Sequence, residues 1–276
     1  MKRARRINIF FFIFASVLAV LYAFPFVMVL LNSVKDKREV RNEPLAWPTE
    51  WRWDNFTEAI DRMDYWQALG NSLIITVLSV GAIVITSSML AYYLARSKTK
   101  FSAVTFLVLV ASMIVPFQAL MIPFVGLFGD RGLGLPGNQF TIAFFYVGFG
   151  VALSTFLYHG FISNIPYELD EAAGIDGASP LRTFRSIIFP MLSPVTATVA
   201  IINALWIWND FLLPSVVLLD NEQKTIPLRT FVFYGNYTSD YGLAMAGLVI
   251  SILPIVIFYF VMQRQIIAGI SAGAVK

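Results

Sequence analysis

Cysteine is missing altogether from the 276 residues, and histidine occurs once. The first absence removes disulfides, thiolate metal sites and cysteine nucleophiles together. The second argues against a metal site, because no histidine cluster is available to build one. Charge is scarce too: Asp, Glu, Lys and Arg make up 13% of the chain, where a soluble domain carries about 25%. No Gly-Lys dipeptide occurs, so the glycine-rich loop ending in Gly-Lys-Ser/Thr that cradles nucleotide phosphates is excluded. The net charge is a modest +3. No basic patch interleaved with aromatics points to nucleic acid.

What is abundant is apolar surface, at 58% of residues. It is gathered into long runs near residues 8–32, 71–95, 102–125, 139–163, 191–219 and 242–262, from which charge almost vanishes. A helix needs about 20 such residues to cross a bilayer, and a membrane strand only about 10. The chain is therefore expected to be an all-α membrane protein with six transmembrane helices, in one membrane domain over residues 1–276 and with no appended soluble domain. The first run follows Lys2, Arg3, Arg5 and Arg6 as a secretory signal would. It is longer than the usual apolar region of roughly 7–15 residues and lacks a clean small-x-small cleavage pattern, so a retained span is expected. That basic cluster, with Arg96, Lys98, Lys100, Arg182, Arg185, Arg264 and Lys276, puts both termini on the cytoplasmic side by the positive-inside rule. The short outside loops hold only Arg131, Lys224 and Arg229, while the first outside loop mixes basic residues with acids.

That first loop, about residues 33–70, is the largest piece outside the spans. Trp47, Trp51, Trp53 and Trp66 suit an interfacial cap on the outer surface, as a plain tether or as a docking surface. Inside the runs lie Pro25 in the first, Pro116 and Pro123 in the third, Pro194 and Pro214 in the fifth and Pro254 in the sixth. Each frees a carbonyl and is a candidate bending point, or an ordinary membrane-helix proline.

The loop at 164–190 carries the densest local chemistry. Asn164 and Pro166 mark a helix start. Glu168, Asp170 and Glu171 fall in its first turns, where the helix dipole favours acids. Asp176-Gly177 is a break. Ser179-Pro180 is a second start, with serine as cap and proline at the first helical position, and Pro190 ends that helix. Two short helices joined by a turn are expected. In the second, Leu181, Phe184 and Ile188 share one face, and Arg182 and Arg185 lie on another. A short amphipathic unit of this kind can lie in the interface or fit a partner's groove.

The run Glu171-Ala172-Ala173, then Gly177, Ile187 and Pro190, resembles the loop of permease subunits in binding-protein-dependent ABC importers. In that pattern Glu-Ala-Ala is followed after three residues by Gly, after nine by Ile, and after one more by Leu-Pro. The spacing agrees throughout, and Phe189 replaces the leucine. Trp208-Asn209-Asp210-Phe211, Asn55-Phe56, Asn71-Ser72-Leu73 and the ending Gly273-Ala274-Val275-Lys276 look like elements of the maltose-type carbohydrate permeases. The resemblance implies a type I ABC importer permease that is not itself an enzyme. Its partners would be a second permease subunit, cytoplasmic ATP-binding subunits that carry ATP and Mg, an extracellular solute-binding protein, and membrane lipid. It would sit in a bacterial or archaeal plasma membrane. Glu171, Ala172, Ala173, Asp176 and Gly177 would couple it to the ATPase. A non-sugar cargo, such as a polyamine or a phosphorylated small molecule, stays open.

An ionisable residue inside a span is a functional candidate by default. Asp210 is the main case, accompanied by Asn203, Trp206 and Asn209. These four would line a pathway, since sugars are held by aromatic faces and paired polar groups. Equally, Asp210 would cap a helix break or bond to the partner permease. A membrane enzyme or a proton-coupled carrier would show clustered His, Asp or Glu in the spans. Here there are only Asp210 and His159, the latter near a span end and read as structural.

Overall fold

The computed structural model describes the backbone of residues 2–129, 132–233 and 240–274, and the side chains of 11–129, 132–233 and 240–263. The side chains of Lys2, Arg3, Arg5, Arg6, Arg264 and Ala274, and residues Arg131, Val275 and Lys276, lie outside the described residues. Everything regular among the described residues is helical. Four long helices are apolar enough to cross a membrane: α1 (Lys2–Asn32), α4 (Tyr65–Arg96), α7 (Gln139–Ile162) and α12 (Tyr241–Ala274). Two bent pairs supply the other crossings, giving six when each pair is one span.

The first pair is α5 (Lys100–Ser112) with α6 (Phe117–Phe128), bent by 103°. The expected single span 102–125 is thus broken. Pro116 adopts extended backbone (ψ 141°) just before α6. It has no N–H to continue α5, and its ring disfavours helical geometry at Val115. At 13 residues, α5 reaches about 20 Å, short of the roughly 30 Å core. The second pair is α9 (Pro180–Met191) with α10 (Ser193–Asn209), bent by 79° around Leu192. After α10 the chain breaks at Asp210 before α11 (Leu212–Val217), so Pro214 lies beyond the main helix rather than inside it. Pro25 and Pro254 sit inside unbroken helices.

By its contacts the chain forms two compact units. One takes residues 1–66 with 229–254. Here the turns after α1 fold with α2 (Lys37–Asn42) and α3 (Asp54–Arg62) around buried polar groups. Lys35 is fully buried, and its Nζ donates to the carbonyls of Glu43 (3.0 Å) and Pro44 (3.3 Å). Asn55 donates to the carbonyls of Ser33 (2.9 Å) and Lys35 (3.0 Å). Buried polar groups persist only when paired in this way. Trp51 stacks on Trp53 at 5.7 Å, and both are exposed, as are Trp47 and Trp66. Hydrogen bonds from Arg52 hold the neighbouring Asp54 carboxyl below its usual range.

The other unit takes residues 67–228 with 255–276. Its core is built from Ile75, Ile83, Ile142, Tyr146, Tyr158 and Ile188 with their neighbours. Gly150 allows α7 its close approach: a Cβ there would lie 2.6 Å from Ile83 Cδ1 and 2.9 Å from Asn203 Oδ1. Phe117, Phe124, Phe128, Phe145 and Phe149 interlock edge-on and tilted beside α6.

Candidate functional site

The 164–190 loop folds as two short helices joined by a turn, as its caps require. Helix α8 (Glu168–Ile175) carries Glu168, Asp170 and Glu171 in its first turn. It begins later than Asn164 and Pro166 suggest. Asn164 instead closes the preceding helix, donating to the Gly160 carbonyl at 2.8 Å. An asparagine amide can serve either end, and here the end of α7 takes it.

The turn after α8 closes in the Schellman manner. Gly177 takes φ +77°, its N–H bonds to the Gly174 carbonyl (3.0 Å), and the Ala178 N–H reaches back to Ala173 (2.9 Å). Asp176 ends the helix, its N–H on the Ala172 carbonyl at 3.1 Å. Ser179 then caps α9 by accepting from the Arg182 N–H (3.4 Å), with Pro180 at the first helical position. Residues Phe184–Ile188 form a wider π-type turn. It falls just before Pro190, whose ring would meet the Ser186 carbonyl in a regular α-helix. The helix therefore runs past Pro190 and stops after Met191, one residue later than expected.

Burial gives the loop two sides. Leu169, Asp170 and Ala173 face the rest of the unit, with Ala173 only 4% exposed. Glu168, Glu171, Ala172 and Ile175 form the outer ridge, where Ile175 is 86% exposed. On α9, Phe184 and Ile188 are buried, whereas Leu181 on the same face stands exposed, as do Arg182 and Arg185. Of the five residues singled out in the loop, Glu171, Ala172, Asp176 and Gly177 are thus presented outward and Ala173 inward.

Helix α8 is held from behind by the end of α4. Arg96, the last residue of α4, places Nη2 2.9 Å from Asp170 Oδ2. The Tyr92 hydroxyl donates to Asp170 Oδ1. The Arg96 guanidinium also donates from two nitrogens to the Ile165 carbonyl, each at 3.2 Å, and lies 5.6 Å from the Tyr167 ring centre. The Arg96 and Asp170 side chains are 15% and 11% exposed, so the pair is largely out of water. In the sequence Asp170 is one of three acids in a first turn, and nothing local separates it from Glu168 and Glu171; only the fold turns it inward.

In the fifth run, Asp210 does mark a helix break. It ends α10 in extended backbone (ψ 131°), and its Oδ1 accepts from the Leu212 N–H at 3.0 Å. Its Oδ2 accepts from the hydroxyl of Tyr146, a fully buried residue of α7, at 3.0 Å. Trp206 meets the Tyr146 ring edge-on at 5.4 Å. Trp206 and Asp210 share a hollow of about 600 Å³ with Gln118, Phe117, Phe149 and Met113. Asn203 is placed elsewhere: it is buried and donates to Ser154 Oγ (3.0 Å) and the Val199 carbonyl (2.8 Å). Asn209 is exposed and bonds within its own helix to Leu205. Tyr146 and Gln118 read as ordinary span residues in the sequence and join this site only through the fold. His159 stacks on Phe106 at 4.1 Å. Among the described residues no group of three or more His, Cys, Asp or Glu could hold a metal ion.

Four long apolar helices and two bent pairs, with an ordered amphipathic loop ahead of the second bend, define a multi-pass membrane protein. The chain belongs to the family described as binding-protein-dependent transport system inner membrane components, whose profile matches residues 83–271. It is 45% identical over 260 residues, 94% of each chain, to a Thermoanaerobacterium thermosulfurigenes protein described as a "Probable starch degradation products transport system permease protein". It is 37% identical over the full length of both chains to the multiple sugar-binding transport system permease protein MsmG of Streptococcus mutans. It is 36% identical to the melibiose/raffinose/stachyose import permease protein MelC of Bacillus subtilis, over 95% of this chain and 94% of that one. A chain in the crystal structure of a bacterial ABC transporter involved in alginate import shares the fold. Its TM-score is 0.80 and its identity 24%, over 96% of this chain and 98% of that chain.

Proposed function

We propose that this permease forms half of the pathway by which an ATP-driven importer brings a sugar or oligosaccharide into the cell. A second permease would complete the pathway, and an extracellular binding protein would deliver the solute. Separate cytoplasmic subunits would bind ATP and Mg and hydrolyse the ATP. Both termini and the 164–190 loop lie on the cytoplasmic side of a bacterial or archaeal plasma membrane in this reading.

The observation that carries it is the loop. Its outer ridge, Glu171, Ala172 and Ile175, is exposed, and capped turns and Asp170 fix it from behind. A ridge with a small residue at its centre and an isoleucine in water suits a groove on a partner. Glu171 supplies a polar or ionic contact there, Ala172 allows close approach, and Asp176 and Gly177 make the turn. The sugar assignment draws on the relatives, whose names give starch products, multiple sugars and raffinose-type sugars as their cargo. The hollow at Trp206 and Asp210 fits it: an aromatic ring and a carboxylate already held by Tyr146 offer a stacking face beside polar groups.

Uptake by the reconstituted four-part system in proteoliposomes tests the proposal. ATP-dependent entry of neutral oligosaccharides is expected. Entry of polyamines or amino acids with none of sugars would overturn the cargo. Failure of ATP-binding subunits to associate with the wild-type chain would overturn the coupling.

A further inference from the structure

Helix α8 has two routes for passing on a displacement. The covalent route runs through the glycine turn at Gly177, the π-type turn at Phe184–Ile188 and the 79° bend into α10. Every step of it departs from the regular α-helix. The second route leaves α8 by a side chain. Asp170 is gripped by Tyr92 and Arg96, both in the last turn and a half of α4. Arg96 also holds the chain leading into α8, through the Ile165 carbonyl and the Tyr167 ring. A guanidinium at a helix C-terminus, with its carboxylate partner shielded from water, is a stiff connection, because each partner left alone would be a poorly solvated charge.

What the clamp holds is one continuous helix. α4 contains no proline and runs unbroken from Tyr65 to Arg96. From Asn71 to Arg96 it measures about 37 Å at 1.5 Å per residue. At its far end Asn71 donates to the carbonyls of Glu222 (2.7 Å) and Lys224 (3.1 Å) and accepts from Gln139 (2.6 Å). Ser72 accepts from the Ile226 N–H at 2.9 Å. One continuous helix thus grips the docking loop at one end and the 222–226 segment at the other.

We infer that Arg96, with Tyr92, is a positioning residue for energy coupling: through Asp170 it makes α4 the rod that carries movement of the docked loop to the 222–226 segment on the opposite side. This rests on the functional reading above, in which the loop docks on an ATP-binding subunit.

The test uses the complete transporter in proteoliposomes and measures solute carried per ATP hydrolysed, beside the amount of ATP-binding subunit that co-purifies. Arg96→Gln and Asp170→Asn should keep the ATP-binding subunits bound but lower the transport-to-hydrolysis ratio on the order of tenfold, within the usual span of coupling between sites. The double variant should be no worse than either single one, and Arg96→Lys should recover much of the ratio. Asn71→Ala leaves the clamp untouched and should lower the ratio too. An unchanged ratio in Arg96→Gln, or a normal ratio in Asn71→Ala, would overturn the inference. So would loss of the ATP-binding subunits in Arg96→Gln, which would make the clamp a support of the docking surface alone and leave the proposed function standing. A wild-type chain that binds no ATP-binding subunit would overturn both.

Discussion

Gly177 offers a way to weigh backbone strain apart from contact. Its φ of +77° lies in the left-handed region, and a Cβ placed there meets nothing within 4 Å. A side chain therefore strains the turn without a clash. For an ordinary L-residue that region costs roughly 1–2 kcal/mol, and asparagine enters it more readily than most. The strain opposes the Ala178-to-Ala173 and Gly177-to-Gly174 hydrogen bonds that join α8 to α9. Strain carried only by the docked loop weakens docking by at most the same amount, about 5- to 30-fold in dissociation constant. The expected order of affinity for the ATP-binding subunits is glycine, then asparagine, then alanine, then valine. Competition pull-down from detergent-solubilised complexes measures it, with size-exclusion profiles to show that the chain still inserts and folds. Alanine at full affinity would show that the turn does not limit docking. Asparagine and valine equally impaired would show that bulk rather than φ decides, contrary to the open space around the site.

Other substitutions probe separate parts of the molecule. Glu171→Ala removes the exposed carboxylate of the α8 ridge and should weaken ATPase co-purification while membrane insertion is unchanged. Gly150→Ala drives a methyl against Ile83 Cδ1 and Asn203 Oδ1, costing about 1–3 kcal/mol. Thermal unfolding in detergent should show the loss, and adding Ile83→Val, which deletes Cδ1, should recover part of it. Asp210→Asn and Trp206→Ala should each lower the maximal rate of solute uptake, and normal uptake kinetics in both would remove them from the pathway. Lys35→Met removes the charged donor shared by the Glu43 and Pro44 carbonyls, which keep only the Ala46 N–H and the Asn32 amide; a hydrogen bond to a charged group is worth about 1.5–3 kcal/mol. Limited proteolysis within residues 36–53 should quicken, and an unchanged rate would count against Lys35 as the anchor.

The loop was legible because its instructions are local. A glycine, a serine before a proline, and acids in a first turn act on backbone within a few residues of themselves. The six crossings were legible because hydropathy reports the solvent of a segment. It says nothing of direction, so the 103° bend at Pro116 lies hidden within a continuous apolar stretch, whereas the 79° bend at Leu192 falls beside Pro190, where the sequence already ends a helix. Proline marked where a bend was available, but Pro25 and Pro254 show that packing decides whether it is used. At the candidate pathway, Asp210 and Trp206 share a hollow, but Asn203 turns into a helix contact and Asn209 back on its own helix. Spacing along a helix set their azimuths and could not say which neighbour each would meet. The Tyr92–Asp170 contact joins residues 78 apart and leaves no local trace.

Ile175 has a consequence for how a cell makes this protein. A side chain of that kind left 86% exposed on a face meant for water is tolerable only while something covers it. A subunit synthesised in excess of its partners keeps that spot, and Leu181 beside the same turn, uncovered. Chaperones and proteases recognise such apolar spots. If the ridge docks as proposed, it would tell assembled from orphan copies, and supply of the partner would set how many permeases survive.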